Sequence, residues 1–456
     1  MLAIFNLQNI LRMKKIVCVF ILLVVSSYLF AQYKVEPKMK WWYENRFGMF
    51  IHFGSYSQME RGEWAFSIES WSKWPYQQQC SAKFNPTSFS AKDIVGLAKK
   101  AGMRYLVITA KHHEGFAMWD TKVASFTDSV GAKIYSLPSY TPFKRDILME
   151  LKQECARQGI KFGLYYSILD WNHKSQRLSR GKDIFSRMSS MDERSSYIAD
   201  MKLQLKELLV RYDPAILWFD GDWCPNPASP TLDDWWTSAD GKDLYLFLVK
   251  QKPSLIVNER VKRGCGLGDF ECPEQVVPEK PLSRLWETCA TLNGGWGYDA
   301  PRENSYKSSK ELVEELVKVV SRDGNYLLNI GPRADGSVAP KTSLLLSEIG
   351  SWMSACSGAI YGATRSPFSQ SFDWGYCTKK NGILYCFIFR NPKSGMLILP
   401  KLRNSIKEVY VLGDPSKKVK FSLSEKGIAM QLAPNISSSG VCTVLVVKVS
   451  GIPQAL

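Results

Sequence analysis

Closely spaced cysteine pairs are absent from this sequence of 456 residues. None of its 11 cysteines forms a C-x-x-C pair, which disfavours zinc ribbons and thioredoxin-type redox chemistry. The H-x-H pair that metal-dependent barrel hydrolases carry on a first strand is also absent, because His52 stands alone in the run FIHFG. These absences argue against metal-centred and thiol-redox functions.

Long apolar runs are scarce as well. The run from Ile16 to Phe30 is shorter than the roughly 20 residues that a membrane-spanning helix needs. It follows the short basic start Met13-Lys14-Lys15 and precedes a small-residue cleavage point at Ala31-Gln32, which is the pattern of a cleaved secretory signal peptide. Translation then starts at Met1 or at Met13. We expect an exported protein, periplasmic or secreted, with no stable membrane insertion after cleavage.

Positive charge dominates, but it is dispersed along the chain. The formal net charge is +16, from 59 Lys and Arg against 43 Asp and Glu. No basic stripe with interleaved aromatic residues occurs, and the densest cluster is KKVK at 417–420. We therefore expect a solvated basic surface and no nucleic-acid partner.

The sequence predicts three segments, which are a signal peptide at 1–31, a barrel domain at 32–360 and a C-terminal domain at 361–456. The segment 32–360 alternates β-rich runs with amphipathic helical stretches, as a parallel α/β sheet or barrel does. Its predicted strands are 49–54, 104–111, 161–167, 215–221, 254–260, 284–289 and 325–331. The last segment contains six short runs with β character, which predict a small β-sandwich.

Chemically reactive side chains collect at one end of the predicted strands. All four histidines (His52, His112, His113 and His173) lie at or just beyond a strand's carboxyl end, where barrel enzymes carry their catalytic groups. Polar and aromatic residues at the same ends are Glu63, Trp64, Tyr165, Tyr166, Trp218, Asp220, Arg260 and Glu287. Carboxylates, imidazoles and aromatic faces together suit a sugar, whose hydroxyls need charged partners while its C–H face packs on rings.

Several of these residues also have a purely structural interpretation. Aspartates in a turn such as Asp220-Gly221-Asp222 are usually turn formers. Asp220 is favoured as functional because Trp218, two residues earlier on the strand, faces the same side, whereas Asp222 is expected to be a turn residue or a rim contact. For Glu287 we favour a structural charge held by an arginine such as Arg284 or Arg302. The role of His173 stays open.

Several segments together resemble the α-L-fucosidases of glycoside hydrolase family 29. They span most of 42–336 in the family's order and read WWYENRFGMFIHFG, GEW, AKHHEGFAMWDT, GLYYSILDW, ILWFDG, VNER, GDFECPE, WETC and NYLLNIGPRADG. The resemblance implies a (β/α)8-like (TIM-type) barrel followed by a β-sandwich. It also implies an exo-acting retaining α-L-fucosidase that hydrolyses terminal fucosyl linkages of glycans through a covalent fucosyl-enzyme.

The resemblance also assigns roles to particular residues. It makes Asp220 the nucleophile and Glu274 the general acid/base. It implies that the fucose-binding residues are His52, Glu63, Trp64, His112, His113, Tyr166, Trp218 and Arg260. Because such a mechanism needs no metal, we expect neither a metal nor another cofactor.

Four alternatives remain open on the sequence alone. A shift of one residue in strand phase would put Tyr165 in place of Tyr166. Glu271 or Glu287 are alternative acid/base residues to Glu274. The whole chain is alternatively a fucose-binding protein that has lost catalysis, or a metal-dependent barrel hydrolase.

Overall fold

The computed structural model describes residues 35–178, 186–188, 191–223, 236–425, 427–433 and 440–456. The predicted signal peptide lies outside these ranges. The fold is that of the compact unit Lys38–Leu456. Within the described ranges, no helix is both long and apolar enough to cross a membrane.

The first half of the fold is a curled sheet of parallel strands. The strands up to residue 330 are β1 (Phe47–Ile51), β2 (Tyr105–Lys111), β3 (Lys161–Ser167), β4 (Gln176–Leu178), β5 (Ser186–Met188), β6 (Ile216–Asp220), β7 (Ile256–Val257), β8 (Glu287–Thr291) and β9 (Asn325–Ile330). Strands β4 and β5 pair with each other, and the other seven form one sheet in the order β7-β6-β3-β2-β1-β9-β8. Every residue of β1, β2, β6 and β9 is buried, as expected when helices cover one face and side chains fill the other.

An irregular segment, residues 269–275, lies between the two edge strands of this sheet. On the β7 side the Asp269 N–H donates to the Val257 carbonyl oxygen at 2.6 Å. On the β8 side the Gln275 N–H donates to the Cys289 carbonyl oxygen at 2.9 Å. The segment therefore bridges both edges and completes a barrel, although it is too irregular to count as an eighth strand.

Helices surround the sheet. Those in the described part of the chain are α1 (Lys40–Asn45), α2 (Ala65–Ile68), α3 (Lys73–Gln79), α4 (Ala91–Lys100), α5 (Leu137–Tyr140), α6 (Ile147–Gln158), α7 (Met191–Tyr212), α8 (Ser238–Gln251), α9 (Ser309–Val320) and α10 (Pro340–Cys356). Helix α9 begins with a capping box, in which Ser308 and Glu311 each bond the other's backbone N–H. Such caps fix where the helices start on the outside of the barrel.

The C-terminal part is a β-sandwich. Its strands are β10 (Gly375–Lys380), β11 (Ile383–Ile388), β12 (Met396–Leu399), β13 (Ile406–Val411), β14 (Asp414–Lys418), β15 (Phe421–Ser424), β16 (Gly427–Gln431) and β17 (Thr443–Val449). They form a five-stranded sheet, β10-β11-β17-β13-β14, and a three-stranded sheet, β12-β16-β15. Apolar side chains such as Leu384, Leu397 and Leu445 form the core of the sandwich. On the other face of the five-stranded sheet, Phe387 of β11 packs against Trp352 of α10, with ring centroids 6.3 Å apart.

The predicted fold class, a (β/α)8-like barrel followed by a β-sandwich, is confirmed. Two sandwich strands, β10 and β14, were not predicted, and β14 (DPSKK) shows why. It is a mostly exposed edge strand, so it lacks the apolar alternation on which strand prediction depends. The predicted boundary at 360 falls between α10 and β10 and stays a prediction.

Candidate active site

A cavity of about 260 Å³ opens at the carboxyl ends of the barrel strands. Its lining residues are Phe50, His52, Glu63, Trp64, His112, His113, Tyr165, Trp218, Asp220, Trp223, Arg260, Arg263, Glu274, Cys289 and Trp296. Nine of the ten predicted site residues are among them, and the exception is Tyr166. Parallel strands bring these distant stretches of sequence together because all their carboxyl ends face one mouth.

The prediction of Tyr166 is corrected to its neighbour Tyr165. On β3, Tyr165 pairs in register with Trp218 and stacks on it, with ring centroids 5.7 Å apart. Tyr166 points to the other side of the sheet, where its hydroxyl donates to Gln204 Oε1 at 2.7 Å. Successive strand residues face opposite sides, so only one of the two tyrosines can reach the cavity.

Asp220, the last residue of β6, is held in place by cationic and hydroxyl donors. Its Oδ1 accepts from Arg260 Nη1 at 2.9 Å and from Arg263 Nη2 at 3.2 Å. Its Oδ2 accepts from the Tyr165 hydroxyl at 3.3 Å and lies 3.8 Å from His113 Nε2. Burial alone would raise the pKa of Asp220, but the two guanidiniums hold it well below its usual range. Asp220 is therefore ionised in the free protein.

Glu274 shares an arginine with Asp220. Arg260 Nη2 donates to Glu274 Oε2 at 2.9 Å, while Nη1 of the same guanidinium bonds Asp220. The two acids differ in exposure, since the Glu274 side chain is 44% exposed and that of Asp220 only 12%. Arg260 is itself buried and lies over the Trp218 ring, 4.6 Å from its centroid. One guanidinium thus bridges a buried carboxylate and a solvent-facing one.

The two alternatives to Glu274 lie elsewhere. Glu271 is not part of the cavity lining. Glu287 is buried inside the barrel, where it accepts hydrogen bonds from Tyr105 at 2.6 Å and from Trp42 and Trp218 at 3.3 Å each. The expected structural role of Glu287 fits this position, but its partners are aromatic donors and not an arginine. Burial raises the pKa of Glu287 to about 7.

The imidazoles of His52 and His113 are each fixed by a neighbour. His52 Nδ1 lies 2.7 Å from Asn329 Oδ1, and the Asn329 amide group is oriented by its own bond to the Trp296 carbonyl. His113 Nδ1 lies 2.6 Å from Ser167 Oγ, whose hydroxyl donates to the Leu169 carbonyl. Both Nδ1 atoms therefore carry the proton, which leaves Nε2 as the acceptor.

Burial sets the charge of these two rings. It lowers the pKa of His52 to about 3, with His112 acting in the same direction. It also lowers the pKa of His113 well below its usual range. Both imidazoles are therefore neutral at ordinary pH.

The remaining predicted residues, Glu63, Trp64 and His112, also line the cavity, whereas His173 lies outside it. Glu63 Oε2 accepts from the Gly297 N–H at 2.7 Å, and the Trp64 and His113 rings are 5.2 Å apart. The His112 ring stacks on Tyr165, with centroids 5.5 Å apart. His173, whose role was open, is buried away from the cavity beside Phe126, with ring centroids 5.0 Å apart.

Sequence reasoning missed several residues that line the cavity or hold a lining residue in place. Asp222, expected to be a turn or rim residue, is buried and forms an ion pair with Arg263. Arg263 follows Arg260 by three positions across a short 3₁₀ turn, so this spacing was a usable signal. Trp296 comes from the glycine-rich loop after β8, where no periodicity marks it.

Two acids bridged by an arginine, in a mouth walled by aromatic rings and imidazoles, define a barrel glycoside hydrolase. The sequence model of the alpha-L-fucosidase family matches residues 28–357, and the chain belongs to that family.

Curated and structural relatives agree with this membership. The chain is 28% identical over 472 residues to the alpha-L-fucosidase of Dictyostelium discoideum, covering 94% of this chain and 95% of that protein. It is similar to alpha-L-fucosidase isoenzyme 1 from Paenibacillus thiaminolyticus, with TM-score 0.79, 29% identity and coverage of 91% of this chain and 99% of that one. It is also similar to a Bacteroides thetaiotaomicron family 29 alpha-L-fucosidase trapped as a covalent intermediate, with TM-score 0.78, 27% identity and coverage of 91% and 97%.

The two adjacent tyrosines provide a matched test of strand phase. Tyr165→Phe removes a hydroxyl that donates to Asp220, and we expect kcat/KM on an aryl α-L-fucoside to fall about 10-fold. Tyr166→Phe removes only the buried bond to Gln204, so we expect about 1 kcal/mol less stability and unchanged kcat/KM. Steady-state kinetics and thermal unfolding of both variants measure these effects. The reverse pattern would contradict the placement of the two rings.

Glu287 should make folding stability depend on pH. Its folded pKa of about 7 lies above its ordinary value of 4.5, so the folded state binds the extra proton between these values. Stability is therefore lost as the pH rises through this window, by about 3 kcal/mol. Glu287→Gln, which cannot ionise, should lack this loss. Chemical denaturation of both proteins from about pH 4 to about pH 8 measures the difference, and parallel curves would contradict the assignment.

Proposed function

We propose that this chain is an exo-acting, retaining α-L-fucosidase in which Asp220 is the nucleophile and Glu274 the general acid/base. The observation that carries the assignment is the bridge from Arg260 to both carboxylates, at 2.9 Å each. Retaining glycosidases need two acidic groups on either side of the scissile bond, one to attack and one to transfer the proton. The membership in the family and the trapped covalent intermediate of a relative support this mechanism.

In the first displacement, Asp220 Oδ2 attacks the anomeric carbon while the bond to the leaving oxygen breaks. Oδ2 is the better candidate for attack because its donor is the neutral Tyr165 hydroxyl at 3.3 Å, whereas Oδ1 is bonded to two guanidiniums. Glu274 gives its proton to the leaving oxygen. In the second displacement, Glu274 takes a proton from water, the water oxygen bonds the anomeric carbon, and the bonding pair returns to Asp220.

Arg260 connects the two acids through both steps. When the ester forms, Asp220 loses its negative charge and Glu274, having given up its proton, gains one. Both carboxylates are bonded to the same guanidinium, so its negative counter-charge moves from Nη1 to Nη2 without the arginine moving. A preorganised charge of this kind stabilises a transition state without the energetic penalty of reorienting solvent.

The rest of the cavity suits one sugar residue. His52 and His113 are neutral and offer Nε2 as acceptors for sugar hydroxyls, and Glu63 is a further acceptor. Trp64, Trp218 and Trp296 supply faces for the C–H side of the ring and the C6 methyl of fucose. A volume of about 260 Å³ is enough for one sugar residue, as exo action requires. The substrates are therefore terminal α-L-fucosyl groups of glycans or glycoconjugates.

We also propose that the protein is exported. The support is the sequence pattern of residues 13–32, in which a basic start and an apolar run end at a small-residue cleavage point.

Removing each acid in turn tests the two roles. We expect Asp220→Ala and Glu274→Ala to lose turnover of a nitrophenyl α-L-fucoside, by at least about 10⁴-fold for the nucleophile and about 10²-fold for the acid/base. Azide should restore both, because it is small enough to use either vacated space. The product separates the roles, since Asp220→Ala should give inverted β-fucosyl azide and Glu274→Ala should give retained α-fucosyl azide.

Glu271→Ala is the matched control, because Glu271 is three residues from Glu274 but outside the cavity lining. Near-normal activity is expected for it, and thermal unfolding should show that all three variants fold. Azide rescue of Glu271→Ala together with an active Glu274→Ala would move the acid/base role to Glu271. An inert wild type would instead favour a fucose-binding protein.

A further inference from the structure

Arg263 is a second guanidinium bound to Asp220, and it differs from Arg260 in what else it holds. Its Nη2 donates to Asp220 Oδ1 at 3.2 Å, and its Nη1 bonds Asp222. Its side chain is 34% exposed at the cavity rim and lies over the Trp223 ring, 4.9 Å from the centroid. Arg260 therefore bridges the two reacting acids, whereas Arg263 binds the nucleophile and a carboxylate that takes no part in the reaction.

Asp222 acts as the anchor of this arginine. One oxygen accepts from the Arg263 side chain, and the other accepts from the Arg263 backbone N–H at 2.7 Å. Asp222 is buried, so its charge needs this partner. Gly221 makes the turn between the two aspartates possible, because its φ is +80° and an added Cβ would lie 2.6 Å from Leu169 Cβ. The turn thus directs both carboxylates to one guanidinium.

We propose that Arg263, clamped by Asp222, is a positioning residue that stabilises the charged form of Asp220 and so promotes cleavage of the fucosyl-enzyme. The inference rests on the proposed role of Asp220 as nucleophile. It adds a division of labour, in which Arg260 serves both displacements and Arg263 favours the second.

The proposed division of labour follows from how differently the two arginines are affected when Asp220 loses its charge. In the first displacement, Asp220 passes from carboxylate to ester and Arg263 loses its interaction with that charge. In the second displacement, the C–O bond of the ester breaks, the electron pair returns to Asp220 and Arg263 regains the charge. In the ester state, Arg260 gains the new negative charge of Glu274 in place of the charge that Asp220 has lost. Arg263 gains no new charge from Asp222, because Asp222 takes no part in the reaction. Removing Arg263 therefore stabilises the ester relative to the free carboxylate.

Several other groups face Asp220 and act on its titration. They are Arg260, Tyr165, His113, His52, Asp222, Glu274 and Cys289. Burial raises the pKa of Asp220, and the guanidiniums of Arg260 and Arg263, which both bond its Oδ1, lower it.

The test is Arg263→Gln, which keeps the size of the side chain and removes its charge. We expect the acid limb of the pH profile of kcat/KM to rise by about one unit, because this limb reports the nucleophile in the free enzyme. We also expect the ester to break about 10-fold more slowly, in proportion to that shift. With an activated aryl fucoside, the variant should then show a larger burst of nitrophenol. Intact-mass measurement should show more enzyme carrying one fucosyl group.

Arg157→Gln is the control for a general loss of positive charge. Arg157 is an exposed arginine on α6 paired with Glu154, and its substitution should change neither the acid limb nor the burst. The clamp is tested by repeating Arg263→Gln in an Asp222→Asn background, where its effect on the burst should be smaller than in the wild type. An equal effect in both backgrounds would overturn the role of Asp222.

An unchanged acid limb together with an unchanged burst in a folded Arg263→Gln protein would overturn the proposal. Thermal unfolding establishes that the variant is folded. Failure of the underlying function is distinguishable, because in that case the wild type itself would form no fucosyl adduct. A general structural defect would lower activity without moving the acid limb.

Discussion

The buried guanidinium of Arg260 is the interaction on which the rest of the site depends. It bonds Asp220 and Glu274 at 2.9 Å each, although these acids come from a strand end and from an irregular segment 54 positions later. A buried cation without partners would be strongly destabilising, so the fold has to deliver both carboxylates to it. This requirement accounts for the two segments that supply the carboxylates. Strand β6 ends at Asp220, and residues 269–275, which include Glu274, lie beside β8.

A layered arrangement follows from that constraint. Below the mouth, Glu287 collects the indole and phenol donors of Trp42, Tyr105 and Trp218 and so fixes the ring on which Arg260 lies. At the rim of the cavity, Arg263 bonds Asp220 and is itself held by an ion pair with Asp222. The charges in the barrel are thereby ordered from a buried acid, through two arginines, to the solvent-facing Glu274. The reaction proposed for the site needs such an order, because one acid must stay charged while the other exchanges a proton with the leaving group.

Much of this architecture could be predicted from the sequence, and the failures have physical causes. Buried parallel strands read as continuous apolar runs, so β2, β3, β6 and β9 were found to within one residue at each end, whereas β1 was predicted two to three residues too late. The same apolar runs do not show which side of the sheet each residue faces. Only the strand register, in which Tyr165 pairs with Trp218, shows that Tyr165 and not Tyr166 faces the cavity. The polar edge strand β14 had no apolar pattern to detect.

The site residues that sequence reasoning missed are those whose role depends on tertiary contacts. Asp222 was expected to be a turn residue or a rim contact and Arg263 was not singled out, because their ion pair forms only where the turn after β6 meets the one after β7. Glu287 was expected beside an arginine, yet its partners are aromatic donors from three separate elements.

The most direct test of the proposed mechanism is to trap the enzyme with a slow fluorinated fucosyl donor, digest it and locate the sugar by tandem mass spectrometry. We expect one fucosyl group esterified to Asp220. A label on Asp222 or Glu274, or turnover with inversion and no label, would contradict it.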